Sequence, residues 1–473
     1  MLDPALPNAI LTNSVLAILA ALVFAIYTLT WQFLKVNDNP PRGCRKLGLS
    51  SGKSNLDDEY DPKYTQGVPE DSIDSQGHPA WRVKALFTYP LKSCTGIELD
   101  ETDIVATGFA YDRQFCFAEA DSSAVDGEVN WTARTLRNRG FNKLALVRPE
   151  IWIPDLSVPG YSPTLDEVKL QGVMVIKYPR VGRNALHSAI IKTGILFGLI
   201  THETSFTVPL YPPNAPGQAK YIPLTRVKIW KDNPLTYNYG YYIPPSFHRF
   251  ITQEAPTPTQ SQGRTGSQRL TLFRVNPSHT REIYRNAPRK ADLGFQPTTG
   301  FADAYPLHIL GLSSVRDVNA HCKSEVPYLS VRRFRANVIV QGPGAFVEDD
   351  WKVIRIEPAN PSSVNSSVEK DGRGSNLENS DGVTIYTACR TIRCKLPNVD
   401  PDTGIRHRSE PDRTLKAYRR IDKGDLTNAC LGMQGVPAVQ YSRIRVGDRI
   451  SVLETGEHCY IKMLAPGEVV EGV

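Results

Sequence analysis

Four short segments concentrate the residue types that carry chemistry. Lys92 and Ser93 follow Tyr89-Pro90-Leu91 where a strand pattern ends, with Cys94 next and Tyr111-Asp112-Arg113 downstream. A cation and a hydroxyl at a strand end suit an anionic phosphate, and they suit a solvated turn equally. The second segment, Phe301-Ala302-Asp303-Ala304-Tyr305-Pro306-Leu307, leads into Ser313-Ser314-Val315. The third is Arg332-Arg333-Phe334-Arg335-Ala336-Asn337, where alternation puts Arg335 and Asn337 on one face of an extended chain. In the fourth, Cys394 stands between Arg393 and Lys395, ahead of Val399-Asp400-Pro401-Asp402-Thr403-Gly404. A thiol between two cations suits a nucleophile or a soft-metal ligand, and the same residues suit an ordinary cysteine.

These segments need a scaffold of strands. Trp81, Val83, Ala85 and Phe87 alternate with their neighbours, as do Tyr111, Arg113, Phe115 and Phe117. Further strand patterns fall at 143–147, 173–177, 269–275, 337–341, 352–357 and 449–453. Helical patterns are fewer, at 313–319 and 413–420. Many short strands with Gly and Pro between them predict an α+β chain that is mostly β, with barrel character. Stretches 179–223 and 359–381 read as insertions. The first contains an apolar helix-like patch at 189–200, too short for a span; the second is polar and low in complexity.

At 473 residues, the chain is long enough for two to three domains of roughly 150 residues each. Its 41% hydrophobic and 22% charged residues exclude global disorder and a polytopic membrane protein. A net charge of +6 spread over this length gives no indication of a nucleic-acid partner. The eight cysteines include no CxxC pair, which disfavours structural zinc and fits buried thiols in a reducing compartment.

Residues 4–34 carry no charge, and 14–34 would rise about 31 Å as a helix, which predicts one transmembrane anchor over residues 1–35. Lys35, Arg42, Arg45, Lys46 and Lys53 follow it, so the positive-inside bias places the body in the cytosol. Residues 36–80 read as a flexible linker with a reach on the order of 35–40 Å.

Taken together and in order, the four segments resemble the MOSC family, most closely its amidoxime-reducing branch. The resemblance covers roughly residues 80–460. It implies an N-terminal MOSC-associated β-barrel portion at 81–290 and a MOSC β-barrel portion at 291–460, preceded by the transmembrane helix. It further implies a molybdenum–molybdopterin (Mo-MPT) cofactor between the portions, with Cys394 as the metal's thiolate ligand and Asp400 as a proton relay. Lys92, Ser93, Arg113, Arg335, Asn337 and Arg393 match cofactor-binding positions, and Arg134 falls in a Thr-Ala-Arg match beside them. Soft sulfur ligation suits molybdenum, and Arg and Lys suit the phosphate.

The implied reaction reduces small N-hydroxylated substrates (amidoximes, hydroxylamines) with electrons from cytochrome b5 and NADH-cytochrome b5 reductase. The implied location is the mitochondrial outer membrane, with the endoplasmic reticulum as the alternative. Ala336 and Ala304-Tyr305 depart from the family pattern, which usually has Pro and small Thr or Ser residues there. The rival expectation is sulfur transfer or cofactor carriage, with Cys394 bearing sulfur instead of ligating metal.

Overall fold

The computed structural model describes residues 39–120, 129–213, 221–252, 270–359 and 382–462, with isolated positions 17 and 21. Two barrels dominate. The first is a closed five-stranded barrel built from Phe115–Ala120, Trp131–Ala133, Leu224–Lys228, Leu235–Asn238 and Leu270–Val275. The second grows from an eight-stranded sheet in which Val338–Gln341 also pairs with Arg82–Thr88, closing seven strands on themselves. Closure removes exposed edges, which is how a chain of short strands avoids edge-to-edge pairing.

Arg82–Thr88 shows why the molecule divides less simply than a cut near residue 290 predicts. The strand precedes the whole first barrel in sequence, yet its register partners are Val338–Gln341, Ile97–Leu99 and Arg449 of the second. Its alternation is kept only at the start: Arg82 and Lys84 are half-buried, then Ala85 to Thr88 are all buried. Val83 and Leu86 fill the barrel interior. Ala85 and Phe87 pack outward against Leu312, Val315 and Val318 of the Leu312–Cys322 helix. A strand covered on both faces reads as a continuous apolar run.

Four expectations are corrected. Residues 143–147 form no strand: Asn142–Leu146 is a 3-10 turn that presses Leu144 and Ala145 into the core beside Phe115 and Phe117. The alternation at 111–117 becomes a strand only from Phe115, because Tyr111 and Arg113 sit in left-handed backbone, with φ of 65° and 46°. The supposed tether is largely structure from residue 39 onward. Cys44–Lys46 pairs with Arg148–Pro154, Leu56 and Tyr64 are buried, and the Glu59 carboxylate accepts the Val331 N–H at 2.9 Å. The transmembrane helix is the fourth. No helix among the described residues is long and apolar enough to cross a membrane, and all of residues 14–34 except positions 17 and 21 lie outside them. The single-pass topology and the outer-membrane or reticulum location inferred from that span are withdrawn with it.

The insertion at 179–223 contains the helix Ala185–Leu196, whose Asn184 cap accepts the His187 N–H, and the strand Glu203–Pro209 paired with Val173–Pro179. Residues 360–381 and 257–267 lie outside the described residues.

Candidate active site

Between the barrels lies a cleft of about 620 Å³. Lys92, Ser93, Arg113, Arg335, Asn337, Arg393 and Cys394 all line it, so chain segments three hundred residues apart in sequence meet there. The Lys92–Ser93 turn leaves the Arg82–Thr88 strand. Its neighbour wall is the Arg113 turn that enters the first barrel, while Cys394 follows the end of Val383–Ile392 in the second.

Backbone strain marks the cleft. Eight described residues other than glycine have positive φ, and Ser93 (68°), Arg113 (46°), Trp230 (56°) and Arg335 (56°) are all on its wall. Each such residue costs on the order of 1–2 kcal/mol, a cost that persists where surrounding contacts fix the geometry. For Arg113 and Arg335 those contacts centre on Asn337. Its Nδ2 donates to Phe87 O (3.1 Å) and Asp112 Oδ1 (3.0 Å), and its Oδ1 accepts from Arg113 Nη1 and His308 N, both at 3.1 Å. Arg113 also donates to Asp112 Oδ2 (2.6 Å) and Arg335 O (3.0 Å). The Tyr89 ring carries the Arg335 guanidinium at 4.3 Å and that of Arg113 at 5.0 Å.

Lys92 is nearly buried, and its Nζ donates to Phe301 O (2.7 Å) and Asp303 Oδ1 (2.5 Å). Burial pulls its pKa down and Asp303 resists that shift. Desolvation disfavours ionised Asp303, yet Lys92, with Arg113 and Arg137, holds the carboxyl well below its usual range. Burial also pulls Arg335 and Arg393 down to about 10, which leaves both charged at neutral pH. His308 is driven well below its ordinary value by burial and by the Arg393 and Arg113 cations, so it stands neutral beside Arg393.

The cleft holds unmet donor capacity. Nη2 of Arg335 and Nε of Arg393 are buried without a hydrogen-bond partner, although Arg335 Nη1 reaches Cys94 O (2.5 Å) and Arg393 Nη2 reaches Phe334 O (3.1 Å). Nine lining residues are Lys or Arg, against the two carboxylates Asp303 and Asp425. Orphaned guanidinium donors in such a surplus fit an anionic ligand.

Two assigned residues point elsewhere. Asp400 does not line the cleft; its carboxylate accepts from Arg333 Nη2 (2.6 Å), Thr403 N (2.9 Å) and Asp402 N (3.0 Å). It therefore closes the Pro401–Gly404 turn and is not placed to relay protons. Arg134 sends its Nε to Glu119 Oε2 (2.8 Å), also away from the cleft. The pairing of Arg335 with Asn337 on a strand face is likewise replaced: Val331–Phe334 is a 3-10 turn, Arg335 is its left-handed cap, and Val338–Gln341 starts only after Asn337.

The sequence reading missed Asp303, His308, Arg137 and Trp230 as wall residues. Asp303 lay inside a segment already singled out, and its charge amid apolar neighbours was the available signal. Arg137 stacks on Trp230 at 4.1 Å, and Trp230 Nε1 donates to Asp303 Oδ1 (3.3 Å); sequence spacing carried no sign of either.

Residues 296–451 match the model of the MOSC domain, and residues 80–171 match that of the MOSC N-terminal beta barrel domain. The chain is a MOSC protein. It resembles the mitochondrial amidoxime-reducing components. It is 29% identical over 169 residues to component 1 of Mus musculus, covering 35% of this chain and 41% of that protein. Component 1 of Danio rerio is 31% identical over 160 residues (34% and 38%), and component 2 of Homo sapiens 31% over 162 (34% and 39%). The aligned part of this MOSC chain thus spans about two-fifths of the length of these relatives.

Proposed function

We propose that this chain is a molybdenum-cofactor oxidoreductase that reduces N-hydroxylated substrates, with electrons delivered by cytochrome b5 and its NADH-dependent reductase. The observation that carries this reading is the partly exposed Cys394 thiol on the wall of a cationic cleft with unpartnered guanidinium donors, in a MOSC chain. Among the described residues no group of three or more His, Cys, Asp or Glu could hold a metal ion. Cys394 is the thiol on the cleft wall, and it is the residue that would ligate a molybdenum otherwise held by an organic cofactor.

The wall residues suit such a group. Lys92, Ser93 and Arg113 form the polar end that would hold a phosphate, and Arg335 and Arg393 offer the free N–H donors. When bound, the cofactor supplies the two-electron step. Reduction of an N–OH group to N–H consumes two electrons and two protons and releases water. The chain's own contribution is placement: Asn337 fixes Arg113 against Asp112, Tyr89 supports two cations, and the neutral His308 adds no charge beside Arg393. Positioned cations in a water-poor site stabilise developing negative charge far better than the same groups in water.

The test is to express the full chain, measure bound molybdenum, and assay benzamidoxime reduction with a reduced dye, in parallel with Cys394→Ser. Turnover that disappears in the variant supports the reading. A molybdenum-loaded chain without turnover would instead favour sulfur transfer or cofactor carriage, and a chain that takes up no molybdenum overturns both.

A further inference from the structure

Lys92 is a cation with a donor left over. An ammonium carries three N–H bonds. Among the described residues Nζ uses two of them, on Phe301 O (2.7 Å) and Asp303 Oδ1 (2.5 Å). Both acceptors belong to the loop 300–303, so the position of that loop sets where the third N–H points on the cleft wall. Arg281 fixes the loop from behind. Its guanidinium is buried and does not line the cleft; Nη1 donates to Gly300 O (3.2 Å) and Ala302 O (2.6 Å), and Nη2 to Asp303 O (3.4 Å).

The same guanidinium reaches into the first barrel. Its Nε donates to Asp232 Oδ2 (2.6 Å), in the turn 229–232 that joins Leu224–Lys228 to Leu235–Asn238. Trp230, left-handed in that turn, donates from Nε1 to Asp303 Oδ1 (3.3 Å), the oxygen that holds Lys92, and Arg137 lies on its ring at 4.1 Å. Asp303 is thus held twice, by its backbone from Arg281 and by its carboxylate from Trp230. That carboxylate also sets the charge. Burial pulls the Lys92 ammonium down and Asp303 opposes it, while Arg113 and Arg281 add to the effect of burial. Cys116, which also faces Lys92, is kept a neutral thiol by its own burial.

We propose that Arg281 and Trp230 are positioning residues which, by fixing Asp303, aim the remaining Lys92 N–H at a tetrahedral dianion in the cleft. The inference rests on the phosphate end assigned above to Lys92, Ser93 and Arg113. Arg281 acts through the loop carbonyls and Trp230 through the Asp303 carboxylate, so a turn of the first barrel helps to place the cation that meets the ligand. Lysine at 281 would keep the charge, but a point donor cannot bridge Asp232 and three carbonyls as a planar fork does.

The experiment titrates the full chain, made in a host without molybdenum cofactor, with sulfate by calorimetry from about pH 6 to 10, where a buried lysine titrates. Sulfate stays a dianion throughout, so the pH dependence is the protein's own. The parent is compared with Trp230→Phe and Arg281→Lys, and thermal midpoints check that each variant folds. Trp230 is 38% exposed, so its variant keeps the test decisive even if Arg281→Lys does not fold. The expected result is sulfate binding weakened about fivefold in each variant, with the pH at which binding is lost lowered by about one unit in Trp230→Phe. A residue that only supports the fold would weaken binding alike at every pH, so an unmoved pH limb overturns the proposal, as does equal affinity. A parent that binds no sulfate fails the phosphate end itself, whereas binding that the variants leave unchanged fails only the positioning role.

Discussion

Asn337 bears the strictest demands of any single residue at the cleft. It is fully buried, and its amide completes four hydrogen bonds to groups from three separate segments. Asn337→Leu keeps the volume and deletes every bond, leaving the Phe87 carbonyl and His308 N–H short of a partner. Buried groups left unpaired cost about 1–3 kcal/mol each, so the variant should lose about 2–4 kcal/mol, measurable by urea denaturation. Molybdenum content should fall with it, because Arg113 is freed from its anchor. Cys394 differs: it is half-exposed, and Cys394→Ser should leave the urea midpoint nearly unchanged while molybdenum binding is lost. Reading residue types along the chain found four of the nine cations on the cleft wall, Lys92, Arg113, Arg335 and Arg393, and its thiol. It misplaced Asp400, because an Asp before Pro-Asp-Thr-Gly serves a turn and a relay equally well until its neighbours are known.

At the scale of elements, the Leu312–Cys322 helix begins without a side-chain cap of its own. Glu348, from the turn Val347–Asp350, supplies the acceptor instead, taking the Gly311 N–H at 3.0 Å and the Ser314 hydroxyl at 2.7 Å. Burial, with the charge of Asp349, nonetheless lifts the Glu348 carboxyl from 4.5 to about 6. Between those values the folded chain keeps a proton that the unfolded chain has released. Stability therefore falls as pH rises through 4.5 to 6, and the penalty, about 2 kcal/mol, is complete above 6. Glu348→Gln removes the titration. Its stability relative to the parent should rise by about 2 kcal/mol from pH 4.5 to 6.5, as read by urea denaturation at each pH. Asp448, also raised to about 6, is present in both proteins and cancels. Element existence was legible where burial is one-sided or fully apolar, as at Val173–Pro179, Leu270–Val275 and Trp351–Glu357. It was not legible at Asn142–Leu146, where a short apolar run suits a buried turn as well as a strand.

For the whole molecule, the stretch before residue 81 is part of the fold. Trp81 Nε1 donates to Val68 O (2.7 Å), Val68 N donates to Gly342 O (2.9 Å), and Leu56 and Tyr64 lie in the core beside Phe87 and Phe334. Burying two such side chains contributes roughly 1.5–3 kcal/mol each, and Glu59 adds its bond to Val331. A chain that starts at residue 81 should therefore unfold at a midpoint on the order of 10 °C below the full chain, by differential scanning calorimetry. An equal midpoint would show that residues 39–80 contribute nothing to the body.

The sequence by itself determined the mostly β class, the family resemblance and part of the cleft wall (Lys92, Ser93, Arg113, Arg335, Asn337, Arg393 and Cys394), because those follow from residue types and short-range order. Only the tertiary structure decided that Arg82–Thr88 crosses into the second barrel, that residues 39–80 pack as structure, and that Arg134 and Asp400 turn from the cleft while Asp303, Trp230 and Arg137 enter it. Those outcomes depend on contacts between residues far apart in the chain. Period, composition and motif describe only neighbours, so they leave side-chain direction open wherever a turn or a left-handed residue intervenes, as at Ser93, Arg113, Trp230 and Arg335.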